Sequence, residues 1–380
     1  MNEPTIVVLG GGVGGVVAAN ELHGRLKDKA KIIVVERRPK QSFESSYLWI
    51  MTGERQPDAI SRDIAGLARK EIEVIAGEVE SIDTKNKAVF VAGREVNYDY
   101  LIVALGASLD VDAIPGLAAS HTYYTLEGAV KLQREVANFK SGRVAIAIAG
   151  LPFKCPAAPY EGAMLLEGFF HARHIRHDVE LAIYTPEPSP MPVAGEASGA
   201  ALQEMLAHKG INFHGDKELT AIKKGKMTFA DDSTENYDLI ITVPPHQAPA
   251  VIRDSSLAGD NGWITVDRHT LETDTEGVYA IGDVVHIPLF DGMALPKAGV
   301  FAHGQAEVVA RNIAAQILGH AKREVYNGSG YCFLEAGGGV AGMAQGDFYA
   351  EPRHITLRTP SPIWHWGKVA FERYWLWKWY

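Results

Sequence analysis

The sequence lacks both a surplus of positive charge and any long apolar run. Its 37 Lys and Arg residues are outnumbered by 46 Asp and Glu residues, which gives a formal charge of −9. Phosphate binding needs a basic face, so we expect no nucleic-acid partner. No run of 18 or more apolar residues occurs, so we expect no bilayer-spanning helix. The chain passes from Met1 into the strand-like Thr5–Leu9 without a basic region or an apolar export segment. We therefore expect the body of the protein to stay in the cytoplasm.

Cysteine is also scarce, with two residues in 380, which excludes a disulfide scaffold. In a reducing compartment, a pair of cysteines is more often catalytic or redox-active than structural. Most free cysteines, however, behave as small buried hydrophobes, and their number alone favours that alternative here. The positions of Cys155 and Cys332 must decide between the two. We predict no metal site.

What the sequence does contain is a degenerate internal repeat. The segment Ile6–Gly15 resembles Ile146–Cys155 at an offset of 140 residues, and Tyr98–Val103 resembles Tyr237–Thr242 at an offset of 139. Two unrelated segments that keep nearly one spacing predict two related domains. Short β-branched runs followed by Gly and a helix-like stretch are typical of strand–turn–helix units in a parallel sheet. The repeat therefore predicts an α/β protein with two Rossmann-like domains.

The first copy carries the pattern Gly10-x-Gly12-x-x-Gly15 between a strand and a helix that runs to about Leu26. Such glycines permit a tight turn and a close approach of the backbone to a pyrophosphate at the helix N-terminus. Glu36 ends the next strand, 21 residues after Gly15, where an acid accepts hydrogen bonds from a ribose. We therefore predict a dinucleotide site. The predicted contact residues in this part of the chain are Gly10, Gly12, Gly14, Gly15, Glu36, Arg37, Ala104 and Gly106.

A downstream segment favours FAD over NAD as the dinucleotide. The apolar run within Thr275–Asp283 ends in Gly282-Asp283, after the second copy of the repeat. In flavoproteins with two dinucleotide domains, such a segment brings the carboxylate to hydroxyl groups of the ribityl chain. The alternative is an ordinary strand-to-turn Gly-Asp pair. The return of the chain to the first domain at this point favours the flavin.

The second copy departs from the glycine pattern. Pro152 stands where the alignment places Gly12, and Cys155 stands where it places Gly15. A side chain or a fixed φ at these positions obstructs the approach of backbone to a pyrophosphate. The next strand, Val179–Tyr184, runs into Thr185-Pro186 without an acid or a base at its end. We infer that this domain has lost its nicotinamide nucleotide site, so the electron donor should be a small molecule.

Three segments carry a resemblance to a known family. Cys155 begins the run Cys-Pro-Ala-Ala-Pro-Tyr-Glu that ends at Glu161, and Cys332 follows the helix expected after Pro296–Gly299. With the C-terminal segment Trp366–Tyr374, they resemble the sulfide:quinone oxidoreductase and flavocytochrome sulfide dehydrogenase branch of the two-dinucleotide-domain flavoproteins. The resemblance covers nearly the whole chain and implies FAD, hydrogen sulfide as donor and a quinone as acceptor.

The resemblance also implies roles for individual residues. Cys155 and Cys332 would form a disulfide or sulfur-bridged pair over one flavin face, with Cys332 nearer the flavin; hydrosulfide would attack one sulfur and leave a persulfide. Glu161 is a candidate proton acceptor, or a first-turn carboxylate favoured by the helix dipole. Lys297 is a candidate cation near the flavin, or a solvated surface lysine.

The sequence departs from the family at two places. His121–Thr125 lacks the third cysteine that several membrane-bound members carry after the first domain. Glu44–Leu48 lacks the cysteine through which secreted relatives attach FAD. We therefore expect FAD to be bound non-covalently, and the identity of the sulfur acceptor stays open.

The C-terminal segment 364–380 is rich in aromatic residues. It holds five of the seven Trp residues, interleaved with Lys368, Arg373 and Lys378. Amphipathic rings favour the lipid headgroup region, and basic residues add attraction to anionic lipid. This composition predicts a peripheral anchor on the cytoplasmic face of a membrane, where quinone is reached. The alternative is an aromatic helix packed on the protein or on a second subunit. We also expect a homo-oligomer.

These observations predict three parts: a discontinuous FAD domain of residues 1–110 and 262–322, a degenerate nucleotide-binding domain of residues 111–261 with Cys155, and a C-terminal region of residues 323–380 with Cys332 and the amphipathic aromatic tail. Three other functions stay open. A type II NADH:quinone oxidoreductase would need an intact glycine loop at residues 151–155. A soluble sulfide dehydrogenase would reduce a cytochrome, and a non-catalytic flavin redox sensor would use the cysteines reversibly.

Overall fold

In the computed structural model, the first Rossmann-like unit is built on a five-stranded parallel sheet. The structure describes residues 3–321 and 323–380, so the predicted domain limits at residues 1 and 322 lie outside the described residues. The strands of the sheet lie in the order Val278–Ala280, Tyr100–Val103, Thr5–Leu9, Lys31–Glu36 and Glu73–Ala76. All four neighbouring pairs are parallel. Strand Val278–Ala280 extends this sheet although the second repeat precedes it, so the first domain is discontinuous as predicted.

The second Rossmann-like unit repeats this arrangement. Its parallel sheet has the order Ile211–His214, Val179–Tyr184, Gly142–Ile148 and Leu239–Val243. Each unit also carries a three-stranded antiparallel sheet. In the first unit its strands are Val79–Asp83, Ala88–Val91 and Arg94–Asn97. In the second unit they are Leu219–Lys223, Lys226–Phe229 and Thr234–Asn236. The shared strand order confirms the two Rossmann-like units, whereas their exact limits stay a prediction.

The described residues form eight α-helices. They are α1 (Val13–Leu26), α2 (Tyr47–Met51), α3 (Leu126–Asn138), α4 (Ala158–Ala172), α5 (Glu196–His208), α6 (Ala250–Arg253), α7 (Gly299–Ile317) and α8 (Pro362–Trp379). The central run Ile6–Leu9 is fully buried, as expected for the central strand of a parallel sheet. Thr125 begins α3 in the expected way, since its hydroxyl accepts a hydrogen bond from the Gly128 amide at 3.0 Å.

A third sheet and α8 complete the fold. The sheet is antiparallel and consists of Ser329–Glu335, Ala341–Asp347 and His354–Ser361. Three two-stranded pairs join other parts of the chain: Lys40–Ser42 with Ser61–Asp63, Ser108–Leu109 with His246–Gln247, and Ile264–Thr265 with Val285–His286. The pair Ser108–Leu109 and His246–Gln247 ties together the two linkers between the Rossmann-like units. Within the described ranges, no helix combines the length and the apolar character needed to cross a bilayer.

The two copies differ at the loop after the first strand. Helix α1 begins three residues after Gly10, whereas α4 begins eight residues after Gly150. A Cβ at Gly15 would lie 1.8 Å from the Gly10 carbonyl oxygen, so the early start of α1 requires a glycine there. Cys155 carries a side chain and lies in the loop before α4, with a φ of 52°. The alignment that equates Cys155 with Gly15 is therefore wrong in three dimensions.

Candidate active site

The first glycine loop forms an open cradle at the N-terminus of α1. Gly10 has a φ of 100°, and a Cβ there would lie 2.4 Å from the Ala104 carbonyl oxygen. A Cβ at Gly12 would meet no atom within 4 Å, and no described side chain caps the N-terminus of α1. The backbone N–H groups of the first turn therefore face open space, which suits the pyrophosphate of a dinucleotide.

The close contact at Gly15 allows a matched test of this loop. Gly15→Ala is expected to destabilise the protein by about 1–3 kcal/mol and to lower the amount of flavin bound per protein, because the added Cβ would displace the Gly10 carbonyl. Gly24→Ala, on the exposed side of the same helix, is expected to stabilise by about 0.5–1 kcal/mol, since nothing lies within 4 Å of that position. Urea unfolding and flavin absorbance measure the two effects. Equal behaviour of the two variants would contradict the cradle.

Glu36 is fixed beside the glycine loop. Its carboxylate accepts hydrogen bonds from the Gly11 amide at 2.7 Å and from the Arg38 amide at 2.8 Å. The predicted Arg37 instead forms an exposed ion pair with Glu78 at 2.8 Å. A held carboxylate at this place suits ribose hydroxyl groups.

The aromatic ring of Tyr380 also lies at this loop, which the sequence did not predict. Its hydroxyl donates a hydrogen bond to the Gly11 carbonyl oxygen at 3.4 Å. Burial raises the pKa of Tyr380, and the negative charge of Glu36 adds to the rise. The end of the C-terminal segment therefore packs against the dinucleotide site.

The Gly282-Asp283 pair lies at the end of strand Val278–Ala280, as predicted. Gly282 has a φ of 76°, and its amide donates to the Gln305 side chain at 2.7 Å. Burial raises the pKa of the Asp283 carboxyl, whereas the charges of Lys154 and Lys297 oppose the rise. No described residue donates a hydrogen bond to this carboxylate, so it can accept hydrogen bonds from the hydroxyl groups of a ribityl chain.

Lys297 is a buried lysine and not a solvated surface residue. Its ammonium group donates to the carbonyl oxygens of Asp283 at 2.7 Å and Val285 at 2.9 Å, and it lies 3.4 Å from the centre of the Trp263 ring. Burial lowers the pKa of Lys297 to about 8, and the charge of Asp283 opposes this change. The glycine cradle, Glu36 and the Asp283–Lys297 group together fit FAD.

Cys155 and Cys332 come from distant parts of the chain and lie close enough for negative charge on Cys332 to raise the pKa of Cys155. Cys155 lies in the loop before α4, where its amide donates to the Lys297 carbonyl oxygen at 2.6 Å. Cys332 lies on strand Ser329–Glu335, and both residues are half-buried free thiols. Burial raises the pKa of the Cys155 thiol well above its usual value, and negative charge on Cys332 and on Glu161 adds to this. Burial, with the charge of Glu161, raises the pKa of Cys332 to about 12.

A buried ion pair lies next to the two thiols. Lys368 of α8 donates to the Glu161 carboxylate of α4 at 2.8 Å, and both side chains are at least 94% buried. The Glu335 amide donates to the same Glu161 oxygen at 2.8 Å. The positive charge of Lys368 opposes the rise in the thiol pKa of Cys155 and of Cys332. The interpretation of Lys368 as a lipid-facing cation is therefore wrong, because its position on α8 faces α4.

The ion pair continues towards the beginning of α8. The His365 Nδ1 atom lies 3.0 Å from the Glu335 carboxylate. Burial raises the pKa of Glu335, whereas the charge of Lys368 and the hydrogen bond from His365 oppose the rise. Four ionisable side chains thus connect the cysteine pair with α8.

A second ion pair ties the Cys155 loop to the first domain. Lys154 donates to the Glu44 carboxylate at 2.6 Å. Burial raises the pKa of Glu44, but the charges of Lys154 and Arg38 outweigh it and hold the value below its usual range. Glu44 begins the stretch Glu44–Leu48, which contains no cysteine. In this chain the position holds a salt bridge beside Cys155.

The structure brings most predicted site residues together. Gly10, Gly12, Gly14, Gly15, Glu36 and Ala104 surround the cradle. Gly282, Asp283 and Lys297 lie beyond it, and Cys155, Cys332 and Glu161 form a third group. Gly106 lies in the first linker with a φ of 69°. The residues missed from the sequence are Glu44, Lys154, Gln305, Glu335, His365, Lys368 as a site residue, and Tyr380. Lys154 could have been found because it directly precedes Cys155, but nothing in the sequence marks its partner Glu44 as a site residue.

Known proteins resemble this chain along nearly its whole length. A sulfide-quinone reductase of Aquifex aeolicus (strain VF5) is 28% identical over 98% of this chain and 90% of the relative. A mitochondrial sulfide:quinone oxidoreductase of Mus musculus is 23% identical over 92% of this chain and 80% of the relative. The X-ray structure of the Aquifex aeolicus sulfide:quinone oxidoreductase superposes with a TM-score of 0.89 at 27% identity, covering 99% of this chain and 91% of that chain. These matches confirm the fold class and the expected resemblance.

The family assignment rests on a model described as pyridine nucleotide-disulphide oxidoreductase, which matches residues 4–306. That range contains the first glycine loop, the Gly-Asp segment and Cys155. The chain belongs to the pyridine nucleotide-disulphide oxidoreductase family.

Proposed function

We propose that this chain oxidises sulfide with a Cys155–Cys332 pair and passes the electrons through non-covalently bound FAD to a membrane quinone. The observation that carries the proposal is that the Glu161–Lys368 pair and the two cysteines are near enough to shift the thiol pKa values, in a chain that keeps one glycine cradle and lacks the other. The relatives named for sulfide and quinone support the same donor and acceptor. The family supports a flavin cofactor.

In the proposed reaction, the oxidised pair is the electrophile. Hydrosulfide attacks one sulfur of a Cys155–Cys332 disulfide; its S–H sulfur bonds to that cysteine as a persulfide, and the other cysteine leaves as a thiolate. The bound flavin supplies the two-electron acceptor for that thiolate. Burial disfavours the thiolate, whereas Lys368 stabilises it, so the leaving sulfur is poised to give up its electrons.

The proton balance of this step involves Glu161. The carboxylate lies in the first turn of α4 and shares Lys368 with Glu335. We propose that it accepts the proton that the persulfide S–H group loses after the disulfide has been opened. The ion pairs Glu161–Lys368 and Glu335–His365 lie between this carboxylate and the beginning of α8.

Anaerobic titration of the FAD-loaded protein tests the proposal. Sulfide alone should bleach the flavin absorbance, and a soluble quinone should restore it. NADH should leave the spectrum unchanged, because the loop that joins the first strand of the second unit to α4 contains Pro152 and Cys155 and forms no glycine cradle. Bleaching by NADH without a response to sulfide would favour a type II NADH dehydrogenase. Reoxidation by a cytochrome and not by quinone would favour a soluble sulfide dehydrogenase, and reversible thiol oxidation without turnover would favour a redox sensor.

Helix α8 presents an apolar stripe to solvent. The exposed residues recur every three or four positions and are Ile363, Trp366, Ala370, Tyr374 and Trp377. The opposite side packs on the body through Trp375 and Trp379, which are buried. Exposed Arg373 and Lys378 flank the stripe. An amphipathic helix of this kind lies in a lipid surface, so we propose that α8 holds the protein peripherally on the cytoplasmic face of a membrane.

The stripe predicts a loss of vesicle binding on substitution. Trp366→Ser with Trp377→Ser is expected to weaken binding to anionic phospholipid vesicles at least about tenfold, since each exposed ring contributes apolar area to the contact. Phe290→Ser, at another exposed ring outside α8, should leave binding unchanged. Vesicle co-sedimentation measures both. Unchanged binding of the double variant would favour a second copy of the chain as the partner of α8.

A further inference from the structure

Two buried side chains meet where the linkers between the Rossmann-like units pass each other. Tyr124 lies at the end of the first linker, and His246 lies in the second. Tyr124 is 6% exposed and His246 is 3% exposed. Their rings pack edge to face with centroids 5.5 Å apart. The pair is therefore a fixed element of the interior.

Each of these side chains has a polar atom without a partner. Neither the Tyr124 hydroxyl nor the His246 Nε2 atom has a hydrogen-bond partner in the described part of the chain. His246 Nδ1 lies 2.9 Å from the Pro244 carbonyl oxygen, which can only accept, so we assign the ring proton to Nδ1. The Nε2 atom is then an acceptor. Burial lowers the pKa of His246 to about 3, so the ring stays neutral.

An unpartnered buried polar atom costs about 1–3 kcal/mol, so two of them on side chains whose rings pack together favour a ligand that satisfies both. One is a donor, the Tyr124 hydroxyl, and the other is an acceptor, the His246 nitrogen. The ligand must therefore accept one hydrogen bond and donate another. It must also be small, because the two rings are in contact.

The pair lies beside Cys155. The His246 amide donates to the Pro152 carbonyl oxygen at 2.8 Å, in the loop that carries Cys155. Burial raises the pKa of Tyr124, and negative charge on Tyr123 and Cys155 adds to the rise. Both side chains therefore lie in the neighbourhood of Cys155.

We propose that Tyr124 and His246 form the binding subsite for sulfide, as hydrogen sulfide or as hydrosulfide, beside Cys155. The inference deepens the proposed function and rests on it. The Tyr124 hydroxyl donates to the sulfur atom, and the S–H group donates to His246 Nε2. This arrangement leaves a lone pair of sulfur free to face Cys155. It also discriminates against thiosulfate at neutral pH, because an anion without an S–H or O–H hydrogen cannot donate to Nε2.

The test compares three variants by anaerobic stopped-flow reduction of the flavin at a series of sulfide concentrations. Tyr124→Phe removes only the hydroxyl, whereas His246→Phe removes Nε2 together with the Nδ1 contact to Pro244, and both keep an aromatic ring. Each is expected to raise the half-saturating sulfide concentration about tenfold while leaving the limiting rate within about twofold. Tyr123→Phe is the matched control, because its neighbouring, equally buried hydroxyl already donates to the Ala158 carbonyl oxygen. Its half-saturating concentration should stay at the wild-type value.

A merely structural role would lower the melting temperature of both variants without moving the half-saturating concentration, and this outcome would overturn the subsite. A site that holds only water would likewise leave that concentration unchanged in both variants. A failure of the proposed function is distinguishable, since sulfide would then not reduce the wild-type flavin at any concentration. The subsite is supported if the half-saturating sulfide concentration rises in both variants and stays at the wild-type value in the Tyr123→Phe control.

Discussion

Cys332→Ser is expected to lower the rate of flavin reduction by sulfide by about 10³-fold or more, and Cys155→Ser should do the same. The reason is chemical: a serine hydroxyl cannot form the disulfide that hydrosulfide attacks, so the loss of either sulfur removes the electrophile. Anaerobic stopped-flow measurement at the flavin absorbance band gives the rate. The two cysteines act as one unit, so the double variant should be no slower than either single variant.

The control for the cysteine variants is the second half of the reaction. Dithionite-reduced flavin should be reoxidised by quinone at the wild-type rate in both variants, because that step does not use the sulfur pair. Flavin content should also be unchanged, since Gly10–Gly15 and Glu36 lie away from the cysteines in the cradle of α1. Reduction of the Cys332→Ser variant by sulfide at a rate near the wild-type value would contradict the proposed function.

The fold and the dinucleotide site could be predicted because their signals are local. The pattern at Gly10–Gly15 encodes a turn in which backbone segments pass so close to each other that only glycine fits. Glu36 follows at the end of the next strand. The internal repeat then predicts a second unit of the same order. Strand Val278–Ala280 could be assigned to the first sheet because Gly282-Asp283 follows it directly.

The electrostatics of the cysteine pair could not be predicted, because its partners come from distant elements. Lys368 and Glu161 are separated by 207 positions, and Glu335 reaches Glu161 across 174. In the sequence, Lys368 is one of three basic residues among aromatic rings, and nothing distinguishes it from Lys378. Which of them faces the protein depends on the rotation of α8 against α4, and that rotation is set by packing.

The buried position of Lys368 predicts a large effect on stability. Lys368→Met should lower the free energy of unfolding by about 3–5 kcal/mol, because it leaves the Glu161 carboxylate buried without its cation. Glu161→Gln should destabilise comparably by leaving the Lys368 ammonium group unpaired. The double variant should cost less than the sum of the two, since it removes both charges together. Urea unfolding of the four proteins measures this coupling.

The loss in free energy of unfolding caused by Lys368→Met should become smaller at lower pH. Burial already raises the pKa of Glu335 in the intact protein, and the loss of Lys368 removes a charge that opposes the rise. A carboxyl whose pKa is higher in the folded state binds more protons there than in the unfolded chain, so lowering the pH favours the folded state. The deficit relative to the intact protein should therefore shrink as the pH falls from 8 to about 5.

Lys378→Met supplies the matched control, because Lys378 lies on the exposed side of the same helix. Its free energy of unfolding should stay within about 0.5 kcal/mol of the intact protein at every pH. A deficit for Lys368→Met no larger than that of Lys378→Met would mean that Glu161 finds another partner or a proton at little cost. In that case Lys368 could not be the cation that opposes the rise in the thiol pKa of Cys332, and stabilisation of the leaving thiolate would have to come from another group near the pair.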